Sequence, residues 1–168
     1  AAQATGAASA FHGFNLLVAD RDELYFLSNR PQPSRQLIEP GLYGLSNHQL
    51  DTPWPKVERG RRALGELAGQ TLAAGELTRR LLAMLADRCI APDHALPRTG
   101  VAIEWERRLS AAFISAPDYG TRTSTVLLIN ENATMYFHER TFDTAGAPAG
   151  DRSHRFTLER LPASCRQR

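Results

Sequence analysis

Apolar and polar positions alternate near both ends of the chain and recur every three or four residues in its middle, which predicts strands, then helices, then strands. Residues 14–19 and 24–27 are apolar runs flanking the polar Asp20-Arg-Asp-Glu23, a hairpin pattern. Pro31 and Pro33 exclude a ladder over 28–35, which is expected to be loop. Residues 36–38, Pro40-Gly41 and 42–46 read as strand, tight turn and strand.

The period then changes. Val57, Arg61, Leu64 and Leu67 lie three or four apart, with Thr52 as the expected N-cap and Pro53 at the first helical position. A break over 69–75 precedes a second stripe, Leu77, Leu81, Leu82 and Leu85, with Arg79, Arg80 and Asp87 on other faces. The leucines of both helices should point at the sheet. Pro92, Pro97 and Gly100 make 91–100 an irregular excursion of the kind that lines sites. Residues 110–115 form a short strand-like run, 117–120 a turn and 121–130 a long strand that turns at Asn130-Glu131-Asn132. Met135, Phe137, Glu139 and Thr141 alternate with Tyr136, His138, Arg140 and Phe142, which completes a hairpin. Residues 143–151 are rich in Gly, Ala and Pro and are expected to be loop, and Phe156, Leu158 and Leu161 mark a final edge strand. Without βαβ alternation, the fold class is α+β with antiparallel sheets layered with helices. The expected organisation is a small-residue lead over 1–10, one domain over 11–161 and a frayed tail over 162–168.

With 168 residues, 42% hydrophobic and 23% charged, the chain can bury a core and is neither disordered nor fibrous. Its net charge of +2 is spread along the sequence, so no nucleic-acid partner is implied. Lys56 is the single lysine among twenty basic residues; Arg and Ala richness of this kind reflects a GC-rich genome. Cys89 and Cys165 lie far apart with no zinc spacing, so a reduced, cytoplasmic chain is expected. No apolar run is long enough for a transmembrane segment, and the first ten residues lack the basic and leucine-rich regions of a signal peptide.

His12, His48, His94, His138 and His154 show no ligand spacing, so no metal site is expected, and serine-hydrolase, P-loop and dinucleotide signatures are absent. Two polar residues beside apolar strands draw attention. Asn47 ends Leu42-Tyr-Gly-Leu-Ser-Asn47 just before the first helix, where an amide can donate to a developing oxyanion or can satisfy turn backbone. Arg122, among the hydroxyl residues of Tyr119-Gly-Thr-Arg-Thr-Ser-Thr125, suits a carboxylate or phosphate clamp, or an internal ion pair. Trp54 and Trp105 read as core or loop anchors before ligand platforms.

Three ordered stretches, Phe11-His-Gly-Phe-Asn-Leu-Leu-Val-Ala-Asp20, Gly41-Leu-Tyr-Gly-Leu-Ser-Asn47 with Leu50-Asp-Thr-Pro-Trp54, and Asp118-Tyr-Gly-Thr-Arg122-Thr-Ser-Thr-Val-Leu-Leu128, resemble the C-terminal half of the transport-and-Golgi-organisation family, also called the NRDE family. Family members begin Met-Cys and carry an Asn-Arg-Asp-Glu signature; neither is found here, because Asp20-Arg-Asp-Glu23 lies in a different hairpin. The resemblance thus implies a C-terminal portion, with about a hundred residues of the family pattern ahead of it. The family in turn resembles N-terminal nucleophile hydrolases of the choloylglycine hydrolase and penicillin V acylase kind, which implies the later part of an αββα fold.

In those amidases an N-terminal Cys attacks the amide, and an Asn in a Leu-Thr-Asn-like stretch helps form the oxyanion hole. Leu45-Ser46-Asn47 matches that stretch, and Arg122 is the match to an active-site Arg on a later strand. The nucleophile has no counterpart in this chain, so the chain alone should not be catalytic. The family's links to secretory organisation, haem trafficking and lipid homeostasis imply a non-enzymatic carrier of an amphipathic acidic ligand, with haem or an acyl lipid as cargo. A parent cysteine amide hydrolase is the alternative, and a purely structural scaffold the third. The missing N-terminal half is the implied partner. No spacing identifies an axial haem ligand.

Overall fold

The computed structural model describes residues 11–20 and 22–159; the expected lead over 1–10, the tail over 162–168, Leu161, Cys165 and Arg21 lie outside the described residues. The chain divides into two compact units, the first built on the residues up to Thr52 with Leu158 and Glu159, the second on Pro53–Thr157. Both contain antiparallel sheet, and the fold is α+β.

In the first unit, β1 (Asn15–Ala19), β2 (Leu24–Ser28) and β3 (Ser34–Leu37) pair in chain order. The β1–β2 turn is set by Asp20, whose Oδ1 accepts the amides of Asp22 and Glu23 at 2.8 and 2.9 Å. Central β2 is buried on both faces, through Phe26 on one and Leu27 on the other. The expected loop over 28–35 is shorter, because Ser28 ends β2 and Ser34 starts β3, leaving Pro31 and Pro33 in the connection. The expected strand over 42–46 is absent. The Gly44 amide donates to the Asp51 carboxylate at 2.7 Å and its carbonyl accepts the Asp51 amide at 2.8 Å, so this backbone closes a loop instead of entering a ladder.

In the second unit, α1 (Pro55–Ala68) begins two residues later than expected, with Trp54 as N-cap and Pro55 at the first position. The Thr52 hydroxyl donates to Gln49 O at 2.9 Å and meets His48 Nδ1 at 2.7 Å, so it is occupied away from the helix. Next come α2 (Ala74–Leu85), a single 3-10 turn over Asp93–Ala95, and α3 (Ile103–Leu109), a third helix where two were expected. Residues 110–115 contribute only an isolated bridge, Ser115 to Gly120. The sheet follows as β4 (Thr123–Ile129), β5 (Thr134–Phe142) and β6 (Pro148–Thr157). β6 starts inside the stretch expected to be loop, since Pro is tolerated as a strand's first residue. It is an outer strand, and Asp151, Arg152 and Arg155 suit an edge that must resist pairing.

Leu81 and Leu82 of α2 are buried with Val126 of β4, and Leu64, Leu67, Leu77 and Leu85 pack against them, as the helical stripes require. Asn130 and Asp143 close the two hairpins by the device Asp20 uses: Asn130 Oδ1 accepts Thr134 N, and Asp143 Oδ1 accepts Ala145 N and Ala147 N, each at 2.9 Å. No helix among the described residues is long and apolar enough to cross a membrane.

Ion pairs lace the surface of this unit. Hydrogen bonds from Arg79 and Arg80 lower the Glu76 carboxyl to about 2, Arg107 lowers that of Asp93, and Arg140 with His138 lowers that of Asp151. The fold thus favours the ionised carboxylates, a contribution present above the ordinary carboxyl range and lost as pH falls through the depressed values. The urea midpoint should be flat near neutral pH and fall between about pH 4 and about pH 2, and added salt should shrink the difference because these pairs are solvated.

Candidate functional site

Asn47 sits on an exposed bend of the first unit. The loop is held by its neighbours: Asn15 at the start of β1 donates from Nδ2 to Ser46 O at 3.3 Å and His48 O at 2.8 Å, the carbonyls on either side of Asn47. The Gly44–Asp51 pair closes its base. The turn-satisfying work that the sequence allowed for Asn47 is thus carried by Asn15 and Asp51, and the Asn47 amide lines an open cavity of about 770 Å³ beside Phe14, Ser28, Arg30 and Leu45.

Ser28 and Arg30 of that lining flank Asn29 in the chain, and Asn29, just after β2, is buried to 1% exposure. Its Oδ1 accepts Phe14 N at 2.7 Å and its Nδ2 donates to His12 O at 3.0 Å, which fixes the segment ahead of β1. Gly13 lets Arg30 lie close, since a Cβ there would stand 3.2 Å from Arg30 Cγ. Sequence reasoning missed Asn15, Asn29 and Arg30. The available signal was a polar residue at the end of each apolar run.

Arg122 lies in the second unit, immediately before β4. Its carbonyl accepts Phe142 N at 2.9 Å, anchoring the backbone to the end of β5. The preceding turn is tied down by Thr121, whose amide donates to Ile114 O at 2.8 Å and whose hydroxyl accepts Ile114 N at 2.9 Å. Gly120 lets the backbone approach closely there, since a Cβ would stand 3.1 Å from Ile114 O and crowd it. Arg122 is exposed, lines a cavity of about 300 Å³ with Ser115, Tyr119, Thr121 and Asp143, and forms no ion pair among the described residues.

Asp143, the carboxylate of that cavity, is turned toward the amides of its own turn. Of the two readings open for Arg122, the internal ion pair is not formed among the described residues. Trp105 meets the Tyr119 ring edge-on at 5.6 Å and so anchors the cavity wall, whereas Trp54 lies beside Lys56, whose ammonium is 6.0 Å from the ring centroid. Asn47 and Arg122 fall in different units, each in a cavity of its own. No cluster of three or more His, Cys, Asp or Glu side chains that could hold a metal ion occurs among the described residues.

The chain matches the family described as Transport and Golgi organisation 2 over residues 1–144. It is 37% identical over 142 residues to the Transport and Golgi organization protein 2 homolog of Bos taurus, an alignment covering 77% of this chain and 51% of the bovine protein. With the Homo sapiens homolog it shares 32% identity over 160 residues, covering 89% of this chain and 58% of the human protein. The chain therefore spans just over half the length of these curated relatives. By this match over most of its length, the chain belongs to the Transport and Golgi organisation 2 family.

Proposed function

We propose that this chain is the C-terminal portion of a trafficking-linked family protein and handles an amphipathic acidic ligand, haem or an acyl lipid, without transforming it. The observation that carries the reading is the Arg122 guanidinium, exposed, unpaired among the described residues and lining one cavity with Tyr119 and the hydroxyl residues Ser115 and Thr121. A planar fork in such a place is completed by a carboxylate or phosphate, which can take two parallel hydrogen bonds. Asn47, beside Phe14 and Leu45, offers an amide donor next to apolar surface.

The exposed Asn47 amide lining its cavity also favours a second reading, in which the whole protein is a cysteine amide hydrolase and Asn47 donates to the oxyanion. The nucleophile then lies outside this chain. Variants of the full-length polypeptide separate the two. In the hydrolase, Asn47→Ala lowers amide turnover by about 10²–10³-fold with little change in stability, since the interaction exists mainly in the transition state. In the carrier there is no turnover to lose, and Arg122→Lys, which keeps the charge but loses the fork, reduces the acidic ligand that copurifies, read by native mass spectrometry. Unchanged turnover and ligand retention in both variants would leave only the scaffold reading.

A further inference from the structure

The two faces of the β4–β5–β6 sheet differ in a way that the helices do not resolve. Val126 and Leu128 point to the face that packs against α2. The register places the other face in four cross-strand rows: Ile129–Met135–Phe156, Leu127–Phe137–His154, Thr125–Glu139–Arg152 and Thr123–Thr141–Gly150. The last two rows are polar and suit water. The first two are apolar, with Leu127 52%, Ile129 46% and Phe156 49% exposed and the His154 ring tilted against Phe137 at 6.0 Å. Five large apolar side chains gathered on one half of a sheet face exceed the scattered exposure normal for a soluble surface.

An antiparallel sheet with helices on one face is complete when its other face is either polar throughout or covered by a second layer. Here the change from apolar to polar falls between adjacent rows, as at the rim of a packed interface. The occupant follows from length. The aligned region is 51% of the bovine relative and 58% of the human one, so family polypeptide of comparable length lies outside it. We propose that the Leu127, Ile129, Met135, Phe137 and Phe156 face is an internal packing surface, covered in the whole protein by an apolar layer from the part of the family polypeptide outside this chain. The first unit shows a matching need, since Leu16, Leu17 and Val18 of the outer strand β1 are also exposed. This inference stands apart from the ligand reading and survives its failure.

Thiol labelling tests it. In a background lacking the native thiols (Cys89→Ser, Cys165→Ser), Leu127→Cys and Ile129→Cys are compared with Arg62→Cys, an exposed position on α1. In the 168-residue chain the sheet positions should react about as fast as the control. In the polypeptide encoded by the complete gene they should be protected about tenfold or more while the control is unchanged. Hydroxyl-radical footprinting of Met135 and Phe156 in the unsubstituted polypeptides reads the same difference if a variant fails to fold. Equal reactivity in both polypeptides would overturn the proposal. So would protection that appears in the 168-residue chain and rises with its concentration, which would make a second copy the occupant, or a complete gene that encodes nothing beyond this chain.

Discussion

Leu82→Ala is expected to cost about 2–5 kcal/mol, through lost transfer energy and the cavity left between α2 and β4. Leu82 is 7% exposed and shares the buried cluster with Leu81 and Val126, while Leu64, Leu67, Leu77, Leu85 and Leu128 surround it. These neighbours sit on two helices and a strand, so the site can collapse only by moving whole elements, which places the cost in the upper part of that range. Arg79, one turn away, is the matched control: its side chain is 68% exposed and its partner, Glu76, lies three residues back on the same helix. Arg79→Ala should leave the urea midpoint nearly unchanged. Urea denaturation of both variants checks the pair, and a large loss for Arg79 with none for Leu82 would invert the helical phase described above.

Asn29→Ala is expected to cost about 2–4 kcal/mol, a large effect for a polar residue. The side chain is 1% exposed and joins the end of β2 to the segment ahead of β1 through Phe14 N and His12 O. Alanine leaves the Phe14 amide without its carboxamide acceptor and the His12 carbonyl without its donor, in a place where water does not reach the lost side chain's position. Asn29→Asp tests the argument more finely, because it keeps the acceptor for Phe14 N but removes the donor to His12 O and brings a charge into a buried site. Both variants should lower the urea midpoint and raise amide exchange at Phe14. A neutral Asn29→Ala would show that the segment over 11–14 is held by something else.

Elements whose periodicity is decided by burial on one side were legible in the sequence. The β1–β2 and β4–β5 hairpins follow from alternating runs broken at Asp20 and Asn130, and the leucine stripes of α1 and α2 give their packing face. What escaped was structure decided by particular hydrogen bonds. The run 42–46 has strand composition, yet its amide at Gly44 is claimed by Asp51, seven residues on and itself at φ 57°. Helix α3 is short and carries Glu104, Glu106, Arg107 and Arg108, so its pattern resembles solvated loop. Glu106 is nevertheless buried, with its carboxylate accepting the hydroxyl of Thr99 at 2.8 Å.

The candidate site was legible in the same uneven way. Asn47 and Arg122 stand out because each is a polar group where an apolar strand ends or begins, and both prove to line cavities. Asn15 and Asn29, which shape the cavity that Asn47 lines, occupy equivalent positions on β1 and at the end of β2. Nothing local distinguishes a polar residue facing water from one reaching a backbone carbonyl some thirty residues away, as Asn15 does to His48. That distinction belongs to the tertiary fold.

The central claim is that the Arg122 guanidinium grips the acid group of an amphipathic ligand. Equilibrium titration of the full-length polypeptide with a fluorescent fatty acid and with haemin tests it most directly, comparing the natural protein, Arg122→Lys and the exposed-surface control Arg62→Ala. Binding of at least one probe should weaken about tenfold in Arg122→Lys, corresponding to about 1.4 kcal/mol from the lost bidentate geometry, with the control unchanged. Equal affinity of all three proteins for both probes, or no binding of either, would contradict the account.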